Sequence, residues 1–382
     1  MITYLLILIL LVAASGFYDF GGCKAGRRFI YYTTLLSFIL LAGLRYRLGL
    51  DSLHYEAKYE NYLSLTEILK TGLPESRYQI LWILFCSLCK ELSHDFLLVQ
   101  IILSALVNFV IFDYIKKTTP YLFSTLITYF LFFYLRVNTE VLRESLAICI
   151  FLLSLKSFKE NRLVKYYSLI LIATQFHLSA LICLTFPIIK IVDFKRATLV
   201  YLTILVSICV FVFKLVSKEG SFLSVSGLRP ANYFSDENIY NLNGVILTIA
   251  SYLLIPSLLI IGYKERLRRD YALPMVIIYL IFGAMTCFNA VIFQRFLNYA
   301  TLPFFVIFFK LIFDEYRRSP EISAIIRLIV VVLVFSSPRI FYFFVEEQDG
   351  VKNYSRYFPY THIWDQKIIE KREYLFYKST LE

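Results

Sequence analysis

Apolar runs long enough to cross a lipid bilayer recur along the whole chain, and they limit the fold more than any single motif. A helix crossing a hydrocarbon core about 30 Å thick needs roughly 20 apolar residues. Such stretches lie near 1–18, 29–44, 78–92, 96–115, 120–136, 141–157, 165–190, 197–216, 243–263, 272–292, 297–313 and 322–344. In lipid the backbone must satisfy its own hydrogen bonds, so only helices and closed barrels can span. A barrel would show alternating segments of about ten residues, and none occur. The chain therefore reads as an all-α, polytopic integral membrane protein with roughly 11–13 transmembrane or re-entrant helices. Hydrophobic residues make up 59% of the 382 positions, too many for a soluble domain of this length. Residues 1–18 lack a basic leader and a small-x-small cleavage site, so they read as a retained helix. The expected organisation is one helical membrane domain over 1–344 and an extracytoplasmic tail over 345–382 that packs on the outer face.

The net charge of +11 would suggest nucleic acid only if topology were ignored. Much of the excess sits in short loops, where basic residues orient a membrane protein and meet anionic lipid. The expected partner is the bilayer, with no nucleic acid. Lys156, Lys159, Arg162 and Lys165 outnumber Glu160; Lys24, Arg27 and Arg28 outnumber Asp19 in a 19–28 loop; and 264–270 is also basic. These loops go to the cytoplasm by the positive-inside rule. The segments around Arg45–Tyr59, Arg136–Arg143 and Gln294–Tyr299 then fall on the outer side, with the tail. Parity adds two expectations. Segment 78–92 is half-inserted or interfacial, and 165–190 breaks near Gln175-Phe176-His177 so that it enters and returns.

Four polar islands interrupt this apolar background. The first is Arg45-Tyr46-Arg47-Leu48-Gly49-Leu50-Asp51, followed by Tyr55 and Tyr59. A guanidinium offers a planar fork that matches phosphate, and Gly49 would let the backbone turn closely about a ligand. Taken alone, the same cluster also reads as an arginine pair snorkelling at a helix end. The second island holds Arg136, Asn138, Thr139, Glu140, Arg143 and Glu144. Asn138, Thr139 and Glu140 suit capping of the helix that follows, whereas an arginine so near the start of a membrane helix should face a cavity or partner. The third, His177-Leu178-Ser179-Ala180, reads as a hydrogen-bonded core histidine or as a general base. The fourth, Gln294-Arg295-Phe296-Leu297-Asn298-Tyr299, places Tyr299 one turn from Arg295, as an interfacial anchor or a phosphate site. Cys86-x-x-Cys89 reads as helix packing, since no ligand set accompanies it. His54, His94 and His362 form no metal spacing, so no metal and no cofactor is expected.

These islands together resemble the EpsG family of polysaccharide-biosynthesis membrane proteins, relatives of Wzy-type O-antigen polymerases. Arg45, Tyr46, Gly49, Asp51 and Tyr55 fill its Arg-Tyr-x-x-Gly-x-Asp-x-x-x-Tyr pattern; Asn138, Arg143 and Ala147 resemble its Asn…Arg-Gln…Ala element. His177, Ser179 and Ala180 are similar to its His-x-Ser-Ala element, and Arg295 with Tyr299 and Pro359-Tyr360 to its later positions. Glu144 departs from the pattern, standing where the family usually has Gln. The resemblance spans nearly the whole chain and implies a GT-C/Wzy-like glycosyltransferase of the bacterial cytoplasmic (inner) membrane, with its site facing outward. Its substrates would be undecaprenyl-diphosphate-linked oligosaccharide donor and acceptor, joined for capsule, exopolysaccharide or O-antigen, with a chain-length regulator as an optional partner.

On that reading Arg45, Arg143 and Arg295 stabilise the diphosphate leaving group without a metal, with Tyr46, Gly49, Tyr55, Asn138 and Tyr299 lining the substrate site. His177 or Asp51 deprotonates the acceptor hydroxyl. Two alternatives use the same residues. One is a flippase for the lipid-linked oligosaccharide, against which the absence of a repeat of halves counts; the other is a membrane O-acyltransferase with His177 as base.

Overall fold

A computed structural model describes residues 2–74, 78–191, 249–269, 272–286, 290–318, 343–344 and 350–381. The described residues are helical without a strand; Arg45 and His362 form an isolated antiparallel bridge. Two compact units emerge, Met1–Leu181 with Phe341–Glu382, and Ile182–Ile340.

The first unit begins with α1 (Ile2–Ala14), which continues as a π-helix over Ser15–Phe20, and α2 (Arg27–Gly43). The π-turn corrects the expected 19–28 loop. Asp19 lies inside the helical run, where its carboxylate accepts from the Ser124 N–H at 2.8 Å and pairs with Arg27 at 3.3 Å. Within the expected 45–77 loop lie two further helices, α3 (Leu50–Tyr59) and α4 (Leu65–Thr71). A capping box starts α4: Ser64 Oγ accepts from Glu67 N–H while the Glu67 carboxylate takes the Ser64 N–H, so two orphan donors are satisfied reciprocally.

Helix α5 (Ile80–Leu92) has 13 residues, about 20 Å of helix, short of a bilayer core. Helix α6 (Phe96–Thr118) is longer: Asp95 caps it by accepting from Leu97 N–H at 2.9 Å, and Lys116 and Lys117 close it, each charge favourable at its end of the helix dipole. Against it runs α2, where the Ser104 hydroxyl donates to the Ile39 carbonyl at 2.9 Å.

Next come α7 (Leu122–Tyr129), two π-helical turns over Phe130–Tyr134 and Arg136–Glu140, α8 (Leu142–Lys159) and α9 (Leu163–Thr174). The break expected near Gln175 is present. The Gln175, Phe176 and His177 N–H groups turn back onto Ile172 and Ala173 carbonyls, and a 3-10 helix follows over Leu178–Thr185. Phe38 packs among Phe112, Tyr129, Phe130 and Tyr134 at ring separations of 4.8 to 5.8 Å, giving an aromatic centre to the unit.

In the second unit, α10 (Phe186–Ile191), α11 (Ile255–Arg269), α12 (Leu273–Met285) and α13 (Ala290–Arg318) are described. Tyr279 of α12 stacks on Phe304 of α13 with ring centroids 3.9 Å apart. The expected span at 197–216 lies outside the described residues, as does all but the end of that at 322–344. Ile2–Phe20, Phe96–Thr118 and Phe293–Arg317 are each long and apolar enough to cross a membrane.

The C-terminal segment returns to the first unit. A 3-10 turn at Asn353–Arg356 leads to an extended stretch that pairs with residues 44–46: Tyr46 N–H donates to Thr361 O at 2.9 Å and Ile363 N–H to Leu44 O at 3.1 Å. Helix α14 (Glu370–Leu381) then packs Leu375 and Phe376 against Leu50 and Leu53 of α3.

Candidate functional site

The first motif forms a tight connection between α2 and α3, and its geometry depends on Gly49. At φ +88° and ψ 133°, this residue occupies backbone space that a Cβ disfavours. A Cβ there would also stand 2.6 Å from the Thr139 carbonyl oxygen and 2.7 Å from Thr139 Cβ. The second motif thus lies directly on the first. Glu140 completes the join by accepting from the N–H groups of Leu50 and Asp51, both at 3.4 Å, a carboxylate at the positive end of α3. This corrects the expectation that Asn138, Thr139 and Glu140 cap α8. The residue before α8 is Val141, without a side-chain cap, and Thr139 Oγ1 turns back to the Leu135 carbonyl.

The three arginines of these motifs meet different surroundings. Arg45 is 1% exposed. It donates to the Ala42 carbonyl and to Ser52 Oγ, the latter at 2.8 Å, while its Nε has no hydrogen-bond partner among the described residues. Burial lowers its pKa to about 10 against the opposing pull of Tyr134, Tyr360, Glu56 and Glu140, so it stays charged near neutrality. This arrangement braces α2 against α3 and points the donors of Arg45 at internal partners. Arg47 (φ +47°) is gripped through Nε and Nη2 by both Glu373 oxygens at 2.7 Å. That hydrogen bonding raises its pKa.

Arg143, in the first turn of α8, is half-buried. Its Nε donates to the Tyr55 hydroxyl at 2.7 Å and its Nη1 to Gln79 Oε1 at 2.9 Å. Its guanidinium lies 4.4 Å from the Tyr78 ring centroid. All three partners are neutral. Burial, opposed by Arg143, pushes the Tyr55 phenol up to about 12, so it keeps its proton. Asp51, one turn before Tyr55, is exposed in the first turn of α3. Tyr46, half-buried, is held through its backbone by Thr361.

His177 connects to this cluster through α5: Leu81 N–H donates to Gln175 O at 3.0 Å, two residues from the Gln79 that holds Arg143. Its Nδ1 accepts from Ser179 N–H at 3.3 Å and meets Ser179 Oγ at 2.6 Å. An N–H can only donate, so Nδ1 is the unprotonated nitrogen and a neutral ring carries its proton on Nε2. The basic nitrogen of His177 is thereby occupied in shaping the helix break.

Asn138 sits inside the protein, 0% exposed. It accepts from Asn108 at 2.9 Å and donates to the Tyr129 hydroxyl and the Tyr134 carbonyl. The structure places this expected substrate-site residue in a buried polar network of internal partners. Glu144 is likewise buried, at 3%. Arg295 and Tyr299 lie on α13 in the second unit, Arg295 exposed and Tyr299 fully buried. One turn apart, they do not share an environment as expected. Among the described residues no group of three or more His, Cys, Asp or Glu could hold a metal.

Sequence reasoning missed Arg372. Buried at 1%, it donates to the carbonyls of Ser355, Arg47 and Pro359 and to Thr361 Oγ1 at 2.7 to 3.2 Å. Its pairing with backbone left no pattern to read. Lys58 was also missed, although it follows Asp51 and Tyr55 at helical spacing, a signal available once 50–59 is taken as helix.

An all-α bundle with membrane-length apolar helices and a half-buried arginine held by neutral partners defines a polytopic membrane protein. A family model matches residues 28–362, and the chain belongs to the EpsG family, as its motifs suggested; it is thus a polysaccharide-related membrane protein. No curated protein and no solved structure matches the chain.

Proposed function

We propose that this protein is a polysaccharide polymerase of the bacterial cytoplasmic membrane, joining lipid-linked oligosaccharide repeat units at its outer face. The observation that carries the reading is the junction of the two motif segments. Gly49 and Glu140 fasten α3 to the turn before α8, and Arg143 is held there by Tyr55 and Gln79 with no carboxylate contact among the described residues. A guanidinium so held keeps donors for an anionic ligand.

In the proposed reaction the acceptor hydroxyl oxygen bonds to the donor's anomeric carbon as the bond from that carbon to the diphosphate oxygen breaks. Undecaprenyl diphosphate leaves with the electron pair, and Arg143 stabilises its charge. The hydroxyl proton passes to Asp51, which is preferred to His177 because Ser179 occupies the histidine's basic nitrogen. Arg45 acts as a brace for the α2–α3 connection.

The test is reconstitution of the full chain with a defined undecaprenyl-diphosphate-linked repeat unit. A ladder of polymer with release of undecaprenyl diphosphate, lost in Arg143→Gln and Asp51→Asn, is the expected result. Movement of intact repeat units across the vesicle membrane without a ladder would replace this reading with a flippase.

A further inference from the structure

Helix α3 brings Asp51, Tyr55 and Lys58 onto one stripe at spacings of four and three residues. Lys58 and Arg143, from different helices, then converge on a single tyrosine. The Lys58 ammonium donates to the Tyr78 hydroxyl at 2.8 Å and lies 5.4 Å from the ring centroid. Together those distances put Nζ nearly in line with the phenolic C–O bond, at the edge of the ring. Arg143 approaches the same centroid to 4.4 Å, so the tyrosine separates two positive charges. Tyr55, whose ring lies 6.1 Å from Tyr78, holds Arg143 from the other side.

Like charges gathered on one side chain repel, more strongly where water is partly excluded. Two other arginines of this unit are neutralised, Arg47 by Glu373 and Arg27 by Asp19. Among the described residues Lys58 and Arg143 donate to neutral oxygens and neither forms an ion pair. An ammonium offers three donors and a guanidinium five, and the neutral partners use fewer than half of them. Both side chains are half-buried, so a ligand could reach them and be partly desolvated there.

We propose that Lys58 and Arg143 form a two-cation subsite for a diphosphate. The planar Arg143 fork holds one phosphate, the Lys58 point charge holds the other, and the Tyr78 ring fixes their separation. A diphosphate carries one phosphate group for each cation, which is the ground for proposing it over a carboxylate or a monophosphate. This inference deepens the polymerase reading by naming a residue that engages the leaving group, and it rests on that reading only for what the diphosphate is attached to.

The chain has two tryptophans, and Trp82 stands 5.1 Å from Tyr55. With Trp364→Phe introduced, fluorescence reports from Trp82 beside the subsite. The full chain in phosphatidylcholine nanodiscs would be titrated with farnesyl diphosphate, farnesyl monophosphate and inorganic pyrophosphate. Wild-type background should prefer the diphosphate to the monophosphate by about tenfold, the worth of one charge-assisted contact. Lys58→Gln should abolish that preference and Lys58→Arg should retain most of it. Tyr78→Phe, which changes no charge, should weaken it and keeps the test open if Lys58→Gln does not fold. Binding of pyrophosphate with the same Lys58 dependence assigns the site to the diphosphate alone, whereas binding of farnesyl diphosphate only assigns it to a lipid-linked one. Wild-type preference in every folded variant overturns the proposal. Polymer made at the wild-type rate by Lys58→Gln would overturn it too while leaving the polymerase reading intact. Lys58-dependent diphosphate binding without any polymer would uphold the subsite and remove the polymerase.

Discussion

Gly49→Ala isolates the junction on which the candidate site depends. Two independent penalties act on the new methyl group. The backbone at φ +88° lies where an L-residue is strained, worth about 1–3 kcal/mol. The Cβ would also stand 2.6 Å from Thr139 O and 2.7 Å from Thr139 Cβ, an overpacking that adds about 1–3 kcal/mol. The expected loss is therefore about 2–6 kcal/mol. At roughly 2–4 °C per kcal/mol for a domain of 150–250 residues, the melting temperature should fall by about 10 °C.

Thermal unfolding of the purified protein in detergent measures that loss, and hydrogen exchange at Leu50 and Asp51 locates it. Their N–H groups rest on Glu140, so their protection should drop before that of α6. Adding Thr139→Ala removes the Oγ1 contact at 3.0 Å but leaves the carbonyl and Cβ contacts, so the double variant should recover only a minor part. A Gly49→Ala protein that melts within 1 °C of wild type would refute the close approach of the two motifs as well as the need for glycine there.

Three other outcomes follow from the same structure. Arg372→Ala deprives four oxygens of their donor, two of these contacts being buried, and should destabilise by about 2 kcal/mol or more; limited proteolysis should then release the segment after Tyr357 far sooner than in wild type. Asn138→Ala should lower the melting temperature by several degrees, because Asn108 and Tyr129 lose a buried partner. A loss of polymer synthesis at unchanged stability would instead return Asn138 to the substrate site. The Glu67 and Glu91 carboxylates have lowered pKa values through their hydrogen bonds to Ser64 and Thr66 respectively. Their support of α4 is present above the unfolded carboxylate pKa near 4.5 and is lost as pH falls through the lowered folded values; exchange protection of α4 measured from pH 6 to pH 3 should track that loss.

Helices, membrane character and family were legible because apolar run length and ordered motifs are local signals. The short α5 and the break after Thr174 were also legible, since charge parity demanded them. What stayed hidden depended on contacts distant in sequence. Arg47 and Glu373 are 326 residues apart, and no spacing rule joins them. Glu140 was assigned to the nearest helix, α8, whereas it caps α3, about ninety residues earlier in the chain. Asn138 matched a family position and is a core residue, which shows that a motif can record folding as well as chemistry. Asp19 was read as a loop residue because the π-turn that carries it inward has no simple sequence period.

The roles within the first motif can now be separated on physical grounds. A residue that binds an anion must present donors to the space where the anion arrives, and burial with internal partners works against that. Arg45, Asn138 and Arg372 all have buried side chains with internal partners, and each fixes a different part of the α2–α3 connection or its supports. Arg47 is neutralised by Glu373, which ties the connection to α14. Arg143 and Lys58 differ in being half-buried and held by neutral oxygens. The tail therefore supports the site without contributing to its charge: it packs on α3, which carries Tyr55 against Arg143 of α8 and Lys58 against Tyr78. A variant that weakens the tail should lower substrate affinity and stability together, whereas one at Lys58 should lower affinity alone.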